Sequence, residues 1–183
     1  ASLIPFAEKD AVGRALIASN QQKQAVPLIT TKTPVVGTGM EEVVAKNSGQ
    51  VVYAEEDGTV TKADGNQVVV KYEKTTKTYY PQHFMRTNEG SSMNQKVVVT
   101  TGDVVKAGDV LVDGMSMENG ELALGKDLTV AFMPWGGYNF EDSIVISRRL
   151  VSDDELTSIH ISDYMVEVRE TKLGPEIVTR DIP

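Results

Sequence analysis

Apolar and polar positions change rhythm more than once along the chain. From Ala7 to about Gln24 the residues are good helix formers apart from Gly13, and Ala11, Arg14, Ala15, Ala18 and Gln22 share one small-to-polar face. That spacing predicts a helix ended before Pro27. Its polar flank carries Arg14, Asn20, Gln21, Lys23 and Gln24. The pattern suits an amide-rich surface helix and a ligand-facing helix equally. Beyond Pro27 the period shortens to two. Val35-Val36, Gln50 to Ala54, Thr59 to Lys62 and Gln67 to Glu73 read as strands, and the pairs Asp57-Gly58 and Asp64-Gly65 between them are hairpin signals. A meander is predicted, followed by a polar, weakly patterned excursion over residues 74–95.

Strand character returns at Lys96 to Thr101 and again around Val104-Val105 and Val110-Leu111, where Gly102-Asp103 and Gly108-Asp109 bracket a short apolar pair. Turns of this kind need positive φ and suit the corners of a small barrel or sandwich. A loop from Met115 to Gly125 precedes Leu128 to Met133, apolar throughout and therefore predicted as a strand buried on both faces. Trp135 to Ser143 reads as a glycine-bearing aromatic loop ending in Glu141-Asp142, and Ile144 to Ile146 as a strand. Ser152 to Glu155 has the spacing of a capping box, and alternation from Ser158 to Val168 predicts a last antiparallel pair. The expected fold is mainly β with short helices (α+β): a leading helix and linker over residues 1–44, a barrel-sandwich hybrid over 45–135, and an acidic loop with antiparallel strands over 136–183.

Composition narrows the function classes. With 183 residues and 40% hydrophobic content the chain can bury one domain's core. It has no uninterrupted apolar run of the length a bilayer-spanning helix needs and opens without a basic, greasy leader, so a soluble, cytoplasmic protein is expected. Zero cysteines remove disulfides and thiolate sites, and two histidines, His83 and His160, are too few for a histidine-rich metal site. The net charge of −8 opposes non-specific wrapping of nucleic acid. That average hides a gradient: residues 1–40 hold four cations against two anions, whereas 141–183 hold ten anions against five cations. The first segment is thus the expected surface for nucleotide or nucleic acid. The ends, Ala1-Ser2-Leu3 without an initiator methionine and Asp181-Ile182-Pro183, read as cut from a longer chain.

Two local motifs carry chemistry. Gly102 to Leu111 is similar to the turn region of biotinyl and lipoyl carrier domains, whose prosthetic group sits on a lysine downstream; here the comparable place reads Met115-Ser116-Met117, and serine cannot form the amide link. Glu141 and Asp142 are adjacent hard oxygen donors suited to magnesium, which prefers one or two carboxylates plus substrate phosphates. By themselves they fit a solvated turn as well.

A longer string separates those readings. Ala131 to Ile144, AFMPWGGYNFEDSI, closely resembles the signature of the second-largest subunit of multisubunit RNA polymerases, the bacterial β subunit above all. Ser2 to Phe6 with Arg14-Ala15-Leu16 and Asn20 to Pro27, then Val36 to Glu41, Gly120 to Gly125 and Thr171 to Glu176, resemble further stretches of that family in order. Residues 47–100 match least.

The resemblance implies a fragment of the hybrid-binding domain of an enzyme for DNA-templated RNA synthesis by nucleotidyl transfer. It implies that Glu141 and Asp142 lie near the second magnesium, that Arg14 reaches toward the nucleoside triphosphate, and that Asn20 and Gln24 border the RNA–DNA hybrid. The implied partners are the largest (β′) subunit, which holds the first magnesium, the α subunits, sigma factor, template DNA and nascent RNA, with no membrane. Val12-Gly13 and Gly136 depart from the common pattern, and a glycine beside Arg14 loosens the helix by up to about 1 kcal/mol. A stand-alone barrel-sandwich interaction module is the alternative class.

Overall fold

A computed structural model describes residues 1–181. Ile182 and Pro183, the end of the stretch expected to carry the last strands, lie outside the described residues. The leading helix forms in two parts. A 3-10 turn over Ala7–Lys9 is followed by extended backbone at Asp10, and helix α1 runs Val12–Lys23, ending before Pro27 as the spacing predicts. Helix α2 covers Met40–Asn47.

The best-buried part of the chain lies between two antiparallel sheets. Strands β1 (Val52–Tyr53), β2 (Gly58–Ala63), β3 (Val68–Tyr72) and β4 (Thr76–Tyr79) are followed by a ribbon of β5 (Met85–Arg86) and β6 (Ser92–Met93). After β7 (Lys96–Val97), β8 (Val104–Val105) and β9 (Val110–Asp113), one sheet is ordered β4-β3-β2-β8 and the other β1-β9-β7. Alternation does the sorting: in β3, Val68, Val70 and Tyr72 turn inward while Lys71 faces water. They meet Val60, Val105, Leu111 and Val112 in one apolar core. Gly58 is required where it stands, because a Cβ there would lie 2.7 Å from the Lys71 carbonyl oxygen and 2.8 Å from Tyr72 Cδ1.

The turns follow their aspartates. Asp64 Oδ1 accepts the amides of Asn66 and Gln67, each at 2.8 Å, closing the β2–β3 hairpin. Gly102 and Gly108 take φ of 100° and 92°, and the aspartate after each accepts the amide three residues before it, Thr100 at 2.7 Å and Lys106 at 2.8 Å. Asp57 does not serve a tight hairpin; its Oδ1 accepts from the Ala107 amide at 2.8 Å and ties two turns together.

The barrel-sandwich hybrid expected over residues 45–135 is not formed. The chain is a mixed α/β arrangement of several small antiparallel sheets, and no sheet closes into a barrel. Closure needs an unbroken ring of paired strands. Here β1, β7 and β8 are two residues long, and each sheet stops at an edge, β4 and β8 in one, β1 and β7 in the other.

A second, smaller core forms where α2 lies on the ribbon of β10 (Met117–Glu118) and β11 (Glu121–Leu122): Ala45, Val51 and Met117 are buried there. The N-cap of α2, Gly39, has no side-chain cap, and the turn before the helix is closed instead by the Glu41 carboxylate on Thr38. Glu41 reaches back, its Oε1 accepting the Thr38 amide at 2.9 Å and the Thr38 hydroxyl at 3.2 Å, and it is only 5% exposed.

Beyond residue 126 the expected strands are absent. Leu128 to Met133 and Ile144 to Ile146 have no regular structure and are exposed, Phe132 at 99%. An apolar run becomes a buried strand only where neighbours pair its backbone, and among the described residues none does. Helix α3 occupies Arg148–Ser152, capped by Ser147, whose side chain accepts from the Arg149 amide; Ser152 therefore ends a helix instead of starting one. The alternation from Ser158 yields isolated bridges, Leu28 with Ser158 and Ser91 with His160. The last strand pair is β12 (Glu170–Thr171) with β13 (Gly174–Pro175). No helix among the described residues is long and apolar enough to cross a membrane.

Glu41 links this fold to pH. The Thr38 amide, opposed by burial, holds its carboxyl below the ordinary value of 4.5. A depressed carboxylate stabilises the fold fully above its unfolded value, and that contribution disappears as pH falls through the folded value. Glu41→Gln is expected to lower stability by roughly 1.5–3 kcal/mol at pH 7. The gap from the parent chain should narrow below about pH 4.5. Thermal unfolding across pH 2–7 checks this, and a gap independent of pH would show that Glu41 is not held as a carboxylate.

Candidate functional site

Helix α1 packs by small side chains. Ala15, Ala18, Ser19 and Gln22, at helical spacing, form its half-buried stripe. That stripe receives the first residues of the chain, with Gln22 Nε2 donating to the Leu3 carbonyl at 3.3 Å. Arg14, on the edge of that stripe, and Asn20 and Gln24 away from it are all exposed. None of these three side chains makes a hydrogen bond to another described residue. Gln24 caps the helix C-terminus, so Arg14 and Gln24 stand about 15 Å apart along the axis.

The acidic loop is built from within. Asn139 Oδ1 accepts the Trp135 amide at 2.9 Å, and its Nδ2 donates to the Met133 carbonyl at 2.7 Å. The Tyr138 amide donates back to the Trp135 carbonyl at 2.9 Å. Ser143 closes the far side, its hydroxyl donating to the Phe140 and Tyr138 carbonyls at 2.5 and 3.2 Å. Gly136 and Gly137 take positive φ, as the reversal requires, and Glu141 does too, at 57°. For a non-glycine residue the left-handed region costs about 1–2 kcal/mol. Glu141 and Asp142 are both exposed, and their carboxylates bond to no other described residue.

Two uncommitted carboxylates side by side fit a hard cation that finds its other ligands elsewhere. They cannot cage one. Among the described residues no group of three or more His, Cys, Asp or Glu side chains is placed to hold a metal ion. Arg14 is not brought to the acidic pair: no ion pair or hydrogen bond joins them. Nor do the clefts unite them. A cleft of about 760 Å³ lies between Pro27–Thr31, His83 and Asp113–Asn119, and the acidic loop lines neither it nor two clefts of about 380 Å³. Asp113, in its wall, is already satisfied by the Asn119 and Gly120 amides at 2.7 Å. The predicted site residues are exposed and presented by two different elements, α1 and the acidic loop, with no hydrogen bond or ion pair between them among the described residues. Asn139 and Ser143 were within the signature string, but the sequence reading assigned them no role.

The family model described as RNA polymerase Rpb2, domain 6 matches residues 53–183, which includes the acidic loop. The chain belongs to that family. Its resemblance to relatives extends further, through α1 as well. The chain is 55% identical to the DNA-directed RNA polymerase subunit beta of Leifsonia xyli subsp. xyli over 183 residues, 100% of this chain and 16% of that protein. It is 54% identical to the subunit of the same name from Caldicellulosiruptor saccharolyticus and 53% identical to that from Caulobacter sp., covering 100% of this chain and 15% and 14% of those proteins. This member of the Rpb2 domain 6 family thus spans about one seventh to one sixth of the curated relatives it matches.

The geometry sets a limit on what the chain does alone. Two carboxylates and one arginine that is not bonded to them do not repay dehydration of magnesium and immobilisation of a nucleotide. Calorimetry on the 183-residue chain is expected to give dissociation constants weaker than about 1 mM for magnesium and for nucleoside triphosphate. Micromolar binding of either would contradict this limit.

Proposed function

We propose that this chain is the nucleotide- and hybrid-facing part of the β subunit of a DNA-directed RNA polymerase, working in templated RNA synthesis by nucleotidyl transfer from ribonucleoside triphosphates. The observation that carries the reading is the end-to-end identity to polymerase β subunits together with an acidic loop whose carboxylates are free to take a ligand. On this reading residues 1–44 supply the leading helix and linker, 45–135 the body and the exposed stretch that leaves it, and 136–183 the acidic loop and its continuation. The partners are the largest (β′) and α subunits, sigma factor, template DNA and nascent RNA, in the cytoplasm.

Phosphoryl transfer asks a protein for positioning and charge neutralisation more than for covalent chemistry. Magnesium supplies Lewis-acid polarisation and charge neutralisation at the phosphates when bound. Glu141 and Asp142 offer carboxylate oxygens, direct or through water, to the second ion, while the first belongs to the largest subunit. Arg14 serves the triphosphate, because its guanidinium stays charged and matches phosphate oxygens with a fork of donors. Asn20 and Gln24 lie further along α1 and suit a sliding nucleic-acid backbone, since an amide bonds it without holding it by charge. The span of about 15 Å from Arg14 to Gln24 keeps the two tasks apart.

The test is a set of variants in the assembled polymerase. Asp142→Ala and Glu141→Ala are expected to raise the magnesium requirement for nucleotide addition on the order of tenfold, with assembly intact. Arg14→Ala should raise the apparent nucleotide KM, and Gln24→Ala should alter pausing or release at saturating nucleotide. Unchanged magnesium titrations for both carboxylate variants would remove the reading of the acidic pair. An Arg14→Ala enzyme with normal KM and a destabilised hybrid would reverse the assignment along α1.

A further inference from the structure

Polarity is inverted in the acidic loop. From Asp127 to Arg149 every residue is exposed except Asn139, although the stretch contains Phe132, Trp135, Tyr138 and Phe140. The side chain withdrawn from water is the amide, and both of its functional atoms are spent on backbone. Its oxygen takes the Trp135 amide and its nitrogen the Met133 carbonyl, so one residue bridges the chain on the far side of Pro134 and of the Gly136-Gly137 reversal. Two residues later the chain enters the left-handed region at Glu141. A strained, exposed residue keeps such a conformation only if its surroundings over-determine it. Among the described residues no apolar core lies beneath this loop, so within this chain short hydrogen bonds do it. Asn139 anchors the side before Glu141, and the Ser143 hydroxyl the side after Asp142.

We propose that Asn139 is a positioning residue for the acidic pair: its two-atom clasp fixes the left-handed turn that aims the Glu141 and Asp142 carboxylates. This rests on the proposed role of that pair in magnesium use. Aspartate at this position keeps the acceptor for the Trp135 amide but cannot donate to the Met133 carbonyl, and sets a negative charge against it. Alanine removes both bonds. The clasp is therefore separable into its two halves by Asn139→Asp and Asn139→Ala.

The experiment has two readouts on the assembled polymerase. Hydrogen exchange by mass spectrometry follows the Trp135 amide, and magnesium titration follows nucleotide addition. Asn139→Ala is expected to speed Trp135 amide exchange about tenfold and to raise the magnesium requirement by a similar factor, as loss of a supporting partner does at metal sites. Asn139→Asp should leave that amide slow yet still raise the magnesium requirement. Combined with Glu141→Ala and Asp142→Ala, Asn139→Ala should add nothing further, because groups acting through one another are not additive. Unchanged Trp135 exchange in Asn139→Ala would overturn the clasp. Faster exchange with a normal magnesium requirement, or an effect that multiplies with that of the carboxylate variants, would overturn the positioning role while leaving the pair's role standing. If the Glu141→Ala, Asp142→Ala variant itself titrates normally, the reading of the pair fails first, and the positioning role falls with it.

Discussion

Strand β9, Val110–Asp113, ties the two cores of the molecule together. Leu111 and Val112 are fully buried in the core between the sheets, while Val110 packs against the smaller core under α2. Asp113, at its end, is also buried, and its two oxygens accept the Asn119 and Gly120 amides that turn β10 into β11. A buried carboxylate is tolerated only when its oxygens are satisfied, and charge-assisted bonds to backbone amides are among the stronger ones available. The same carboxylate therefore fixes the ribbon on which α2 rests. Through α2 and its Thr38–Glu41 start, the packing of β9 governs where the linker from α1 enters the body.

The functional surfaces lie outside this packed centre, and they are held by a different kind of interaction. In the acidic loop aromatic side chains face out and backbone closure is local: an asparagine and a serine, each bonded within a few residues. Such a loop keeps its shape without burying area, which suits a surface that must stay open to a charged ligand. Exposed apolar side chains recur along this stretch, Phe132, Trp135, Tyr138 and Ile144 among them. In the proposed enzyme they are where the remainder of the polymerase would pack.

How much of this was legible in the sequence depends on the range of the interaction. Helix α1, the Asp64 turn and the paired turns at Gly102-Asp103 and Gly108-Asp109 follow from local stereochemistry, and they form where the spacing puts them. The acidic loop was also readable as a loop, because glycines and adjacent acids act over a few bonds. Closure of a barrel was not, since it depends on which edges meet, and the same alternation serves an open sheet. Leu128 to Met133 shows the other limit. Continuous apolar character records a preference for burial but not the partner that provides it, and among the described residues there is none. The capping spacing at Ser152 was outcompeted by Ser147, which caps the same short helix from its other end, while at the start of α2 Gly39 holds the cap position and Glu41 reaches back to Thr38.

The central claim is that the loop over residues 135–143 stands beside the metal that accompanies the nucleotide. It is tested most directly by replacing magnesium with ferrous ion in the assembled polymerase and mapping where locally generated hydroxyl radicals cut this chain. Radicals act within a few ångströms of their source, so the cuts report proximity without asking for activity. Cleavage confined to the vicinity of Asn139 to Ser143, present only when nucleoside triphosphate is added, is the expected result. Cleavage elsewhere in the chain with that loop intact, or cuts in the loop that do not respond to nucleotide, would contradict the account.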